Sequence, residues 1–178
     1  SLETRIFLHY MNYMRIGCAQ NGVRESEMKD ISCFTDYMLQ NKICVGNCDG
    51  FFINYSIPQI GKEFDLLRLG ENYILNVEIK RNSSFEKIEK QLKRNYYYLK
   101  FSDVPIKLFT FIANTKDLYQ LKNSNLEKAN ILELIDSINN QAILDSVNPD
   151  TIFDPIRYLV SPFNSTKKFM EEDYFLTK

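Results

Sequence analysis

The sequence is poor in the residues that several chemistries require. It holds a single histidine, His9. One imidazole does not make a histidine-rich metal site, and it makes a Ser-His-Asp triad hard to build. His9 lies in the apolar-aromatic stretch "IFLHYMNYM", where a packed helix position is the simpler role. Glycine and proline are scarce, with 6 and 5 copies in 178 residues, so the chain is neither a linker nor a low-complexity segment. The 4 cysteines are Cys18, Cys33, Cys44 and Cys48. They match no zinc spacing, because Cys44 and Cys48 have no second close pair to complete a ligand set. Reduced thiols of a cytoplasmic protein are the simpler reading. The formal charge of −1 excludes a polycation, so any surface for a polyanion has to be local. No apolar run approaches the length of a membrane span, and no basic-then-apolar leader opens the chain. A protein without membrane attachment is expected.

What is present suits one domain with a real core, since 44% of residues are hydrophobic and 13% aromatic. A single domain is expected over residues 1–178. The absence of an initial Met fits a piece of a longer protein. Helices are expected over 4–16 and 26–41, the second with Met28, Ile31, Thr35 and Met38 at helical spacing. "KICVG" reads as a short strand or as the end of that region. "GFFINYSI" reads as a strand that Pro58 ends or bends. "EFDLLRL" and "YILNVEIK" read as two strands around a turn at Gly70-Glu71-Asn72. A helix is expected over 83–101, with Ser83 and Glu86 at capping-box spacing and Phe85, Ile88, Leu92, Tyr96 and Leu99 on one face. "IKLFTFIAN" is apolar enough for a strand covered on both faces. One or two helices are expected over 125–145, then an irregular tail from Pro149. Helices, a three-stranded meander, a helix, a strand and more helices make an α/β protein, with a mixed central sheet flanked by helices.

The charged residues inside the strand pair carry the functional signal. Side chains alternate along a strand, so Glu78 and Lys80 share one face while Val77 and Ile79 share the other. Glu63 and Asp65 likewise share a face of the preceding strand. The hairpin brings Asp65 close to Glu78. Two adjacent carboxylates repel each other unless a cation stands between them. A hard divalent ion, Mg²⁺ or Mn²⁺, takes such oxygen ligands. Lys80 adds a positive charge toward an attacking hydroxide or a phosphorane. The group is what metal-assisted hydrolysis of a phosphodiester needs.

Asp65, a hairpin, Glu78-Ile79-Lys80, a helix and a buried strand, in that order, resemble the PD-(D/E)XK nuclease superfamily over about residues 25–114. The resemblance implies a restriction-endonuclease-like fold and a domain that hydrolyses DNA. It implies metal binding by Asp65 and Glu78, an added ligand from the Ile79 carbonyl, and a Lys80 that positions or activates water. It implies products with a 5′-phosphate and a 3′-hydroxyl. Phe64 stands where the family name has proline. Many members add a glutamate from an earlier helix. Glu27 falls on the arc of Ile31, Phe34 and Met38 and is preferred to Glu25, the alternative being an ordinary first-turn glutamate favoured by the helix dipole. Glu63 is an extra ligand or a surface residue. RecB-like members place Gln and Tyr four apart on the helix after the lysine. Here Gln91 is followed at that spacing by Asn95, and Gln91, Asn95 and Tyr98 form a polar stripe. The stripe faces the site, with Gln91 the best candidate, or it is solvated. "KEFDLL" and "VEIKR" most resemble nuclease-like domains that precede helicase modules in bacterial defence or repair proteins. A linked or docked helicase domain and a second copy of the chain are the partners this suggests.

Local charge agrees. From Lys80 to Lys107 there are eight basic and three acidic residues, net +5. Arg81, Lys87, Lys90 and Arg94, interleaved with tyrosines, suit contact with a nucleic-acid backbone; a solvated helix face is the alternative. A catalytically silent module of the same fold, binding nucleic acid or docking a helicase-like protein, is the leading other reading. A structural domain with a fortuitous Glu78–Lys80 pair leaves Asp65 unexplained. Residues 115–178 are expected to form C-terminal helices and a tail.

Overall fold

The computed structural model describes residues 25–102, 104–144 and 147–153. The helix expected over 4–16, with His9, and Cys18 lie outside them. Helix α1 (Glu25–Gln40) is followed by a 3-10 turn (Val45–Cys48), then strands β1 (Phe51–Ser56), β2 (Glu63–Arg68) and β3 (Ile74–Lys80). Helix α2 (Phe85–Leu99) leads to β4 (Ile106–Ile112), β5 (Asp117–Lys122), β6 (Asn125–Ala129), α3 (Ile131–Asn139) and the short α4 (Pro149–Ile152). The strands form one six-stranded sheet in the order β1-β2-β3-β4-β5-β6. Only β3 and β4 pair in parallel, joined through α2; every other neighbour is antiparallel. This is a mixed α/β fold with helices against the sheet.

The sheet divides two apolar cores. Leu75, Val77 and Ile79 of β3 face a core that contains Ile31, Phe34 and Met38 of α1 and Leu134 and Ile138 of α3. On the other face Ile74 joins Leu67, Leu108 and the α2 residues Ile88, Leu92 and Leu99. Strand β3 is therefore covered on both sides, and only Lys80 at its end is partly exposed. That double cover buries the polar parity as well, so Asn76 and Glu78 lie inside with the apolar residues.

Several expectations need correction. Of the two readings of "KICVG", the end of the preceding helical region holds and the strand does not: the Ile43 N–H donates back to the Met38 carbonyl at 3.2 Å and the chain coils into the 3-10 turn. Residues 125–145 hold one helix, Ile131–Asn139, as expected, but the stretch from 115 onward does not consist of helices and a tail alone: β5 and β6 form a hairpin that adds two strands to the sheet. That hairpin turns at Asn123 and Ser124, both with positive φ (50° and 66°), the backbone of a tight hairpin without the usual glycine. Helix α3 then starts from a capping box formed by Asn130 and Glu133. Ser84, not Ser83, caps α2, accepting the Lys87 N–H at 3.4 Å. Phe85 and Tyr96 stay about half exposed, at 48% and 50%. At 100° per residue they stand roughly 40–60° to one side of the Ile88–Leu92–Leu99 centre line. The turn at 70–72 holds the segment after α3: the Glu71 N–H donates to the Ala142 carbonyl at 2.8 Å. A side chain at Gly70 would meet Gln141 and two carbonyl oxygens within 2.7–2.8 Å, so close backbone approach requires glycine there.

Candidate active site

The β2–β3 register pairs Leu66 with Val77 and Leu67 with Asn76. One further step sets Asp65 across from Glu78. The Asp65 carboxylate accepts the Ile79 backbone N–H at 2.8 Å and the Lys80 ammonium at 3.1 Å, both on Oδ2. Lys80 Nζ also lies 3.5 Å from Glu78 Oε2. Asp65, Glu78 and Lys80 thus meet, as the alternation of side chains predicts.

Glu78 is only 1% exposed, and a charge so placed needs donors on every side. Its Oε1 accepts from Asn95 Nδ2 at 2.7 Å and from Asn76 Nδ2 at 3.2 Å. Its Oε2 accepts a short hydrogen bond from Gln91 Nε2. Asn95 also donates to Asn76 Oδ1 at 2.7 Å. Burial, and then the Asp65 charge, push the Glu78 carboxyl above the usual carboxylate range; Lys62, Lys80 and the Asn76 amide pull the other way. Burial alone would lower the Lys80 ammonium, but Asp65 and Glu78 outweigh it and hold it above its ordinary value.

These groups open on a cavity of about 290 Å³ lined by Glu27, Asp30, Ile31, Asn54, Glu63, Asp65, Glu78, Ile79, Lys80 and Gln91. Helix α1 brings Glu27 to this wall, on the side of Ile31, as its helical arc predicts. Glu63 is raised by burial and then by Asp65 and Glu27. Five carboxylates face one ammonium. Among the described residues no three His, Cys, Asp or Glu side chains stand close enough to form a ready-made metal cage. The Asp65–Glu78 pair, all oxygen and beside open volume, nevertheless fits Mg²⁺, which takes one or two protein carboxylates and keeps several waters.

The α2 stripe divides differently from the sequence reading. Gln91 reaches the cavity, but Asn95 and Tyr98 are buried, and Asn95 acts from behind by holding Glu78. Arg81 pairs with Asp30 at 3.2 Å on the cavity rim. Lys87, Lys90 and Arg94 are exposed on α2 but do not line the cavity. Three further residues escape the sequence reading. Asn76 looks like one more strand residue. Asn54 looks like a loop-former misplaced in a strand. Lys62, with its Nζ donating to the Glu63 carbonyl and lying 4.6 Å from the Phe64 ring centre, looks like a loop lysine. Burial lowers the Lys62 ammonium, against the pull of Glu78 and Asp65.

The amide behind Glu78 gives a direct expectation. Asn95→Leu removes the donor to both Glu78 Oε1 and Asn76 Oδ1 and should destabilise the fold by about 1–3 kcal/mol, the cost of stranded buried polar atoms. Urea unfolding would show this as a lower midpoint at unchanged slope; an unchanged midpoint would mean the network contributes nothing.

No protein-family model, curated protein or solved structure matches the chain.

Proposed function

We propose that the chain is a Mg²⁺- or Mn²⁺-dependent nuclease domain of the PD-(D/E)XK type, hydrolysing phosphodiester bonds of DNA. The observation that supports it most is the meeting of Asp65, Glu78 and Lys80 on one cavity wall, with Glu78 held by three amides. Asp65 and Glu78 would hold the cation, with the Ile79 carbonyl and Glu27 as further ligands. Bound there, the ion would polarise a phosphate oxygen and make water more acidic. Lys80, fixed between the two carboxylates, orients the attacking water and offsets charge that builds on the phosphate. Gln91 fixes the Glu78 rotamer. Arg81, Lys87, Lys90 and Arg94 bind the strand by charge. Water attacks phosphorus in line, the bond to the 3′-oxygen breaks, and the products carry a 5′-phosphate and a 3′-hydroxyl. The setting this reading suggests is a cytoplasmic bacterial defence or repair protein, linked to or docked on a helicase domain, or paired with a second copy.

One observation favours the silent module instead. Lys80 lies within 3.5 Å of both carboxylates and already neutralises part of the charge that would attract an ion. Cleavage of labelled single- and double-stranded DNA with Mg²⁺ or Mn²⁺ separates the two readings. For a nuclease, Lys80→Ala should lower the rate by about a hundred- to ten-thousandfold while DNA binding changes only several-fold. Folded wild-type chain that binds DNA but cuts nothing with either ion would select the silent module.

A further inference from the structure

Asn54 is the uncharged polar side chain of the cavity wall that the proposed chemistry leaves unused, alongside Asp30, Ile31 and Glu63. It sits in the middle of β1 with φ of 50°, in the left-handed region that asparagine tolerates better than most residues. The β1–β2 ladder pairs Ile53 with Leu66 and Tyr55 with Phe64, which leaves Asn54 opposite Asp65. Both strands change sides at this step. Ile53 and Leu66 belong to the α1 core, whereas Tyr55 and Phe64 belong to the α2 core. Residues two apart in a regular strand share a face, so the pair is wrung locally where Asn54 and Asp65 reach the cavity. Asn54 is 8% exposed, lines the cavity, and makes no side-chain hydrogen bond among the described residues. No atom of the Asn54 amide is sealed from solvent without a partner, so the amide is open to the cavity, and backbone strain of this kind collects where a ligand is held.

The surroundings limit what that amide can serve. The other neutral amide on the wall, Gln91, is committed to Glu78. Around it stand carboxylates, which repel an anion, and Lys80, which they engage. An uncharged donor can approach a phosphate oxygen without adding to that repulsion. Resting on the nuclease reading, we infer that Asn54 is a substrate-binding residue whose side-chain N–H donates to a non-bridging phosphate oxygen of the bound strand, next to the carboxylate pair.

The test uses the full chain and Asn54→Gly, which keeps the left-handed backbone and removes the amide. Asn54→Gly should unfold at or above the wild-type temperature. Its kcat should drop about ten- to a hundredfold, as for loss of one hydrogen bond to a charged group, with KM moving less. Asn54→Asp, which adds a further charge, should fall at least as far. A direct reading avoids turnover: the side-chain NH₂ signal of Asn54 in ¹H–¹⁵N spectra, identified by its loss in Asn54→Gly, should shift when a DNA strand and Ca²⁺ are added. A signal that stays fixed while the strand binds overturns the inference, whether or not the chain cuts. Wild-type rates in Asn54→Gly, with cleavage lost in Lys80→Ala, overturn this inference alone. A folded wild type that neither binds nor cuts DNA overturns the nuclease reading together with it.

Discussion

If the proposed nuclease reading holds, Asp65→Asn is expected to slow metal-dependent DNA cleavage by on the order of a hundred- to a thousandfold, with the melting temperature moving by no more than about 3 °C. The substitution keeps the shape of the side chain. A carboxamide oxygen can still accept the Ile79 N–H, which Asp65 holds at 2.8 Å, and the Lys80 ammonium. What disappears is the charge. The buried Glu78 carboxyl, raised first by burial and then by Asp65, loses a repulsive neighbour, so the fold gains there part of what it loses toward Lys80. On the proposed reading the site would lose a metal ligand while the architecture survives. Gel-based cleavage rates and a thermal melt on the same preparation check both halves. Unchanged cleavage would remove Asp65 from the chemistry, and a collapse of the fold would make its role structural.

The largest effect on stability is expected from Phe111→Ala. Phe111 is fully buried in β4 and pairs in parallel register with Ile79. Its ring lies 5.2 Å from that of Phe34 and 5.6 Å from that of Tyr37, centre to centre. It is one of the contacts that seat α1 on the sheet, beside those of Val77 and Ile79 in the same core. Removing such a ring costs about 3–5 kcal/mol, through lost transfer energy and the cavity left behind. In a chain of this size that lowers the melting temperature by roughly 6–20 °C. Leu132→Ala, at a side chain 55% exposed, serves as the control and should stay within about 0.5 kcal/mol. Equal losses in both variants would mean that Phe111 is not an anchor.

Much of the centre of the molecule is legible from patterning. Alternation along "VEIK" sends Val77 and Ile79 to one core and Glu78 and Lys80 to the opposite side, and the hairpin spacing sets Asp65 against Glu78. Helical angle makes Glu27 and Gln91 candidates for the same wall without deciding against a first-turn glutamate or a solvated stripe, and both line the cavity. The periphery reads poorly, for physical reasons. The β5–β6 hairpin is masked because "KNSN" makes a tight turn without glycine and because β6, "NLEKA", is a mostly exposed edge strand with little apolar alternation. Asn95 reads as a solvated or substrate-facing position, because a helical wheel gives direction and not depth. Its burial follows from the need of Glu78 for donors. Asn54 is hidden because a left-handed residue inside a strand runs against strand propensity.

The crossover between β3 and β4 has a consequence for how the chain reaches this state. Twenty-five residues, 81–105, separate the ends of the two strands, and the helix within them carries Gln91 and Asn95. The antiparallel pair β2–β3 can close over a short turn, but β4 can cover β3 only after the long loop has closed, at a larger entropic cost. Until then Glu78 lies at an open strand edge, hydrated and without the Gln91 and Asn95 amides. The hairpin therefore sets Asp65 against Glu78 by a local contact, whereas the Gln91 and Asn95 donors that bury Glu78 come from the crossover. A partly folded chain would hold the carboxylate pair without the burial that sets its electrostatics.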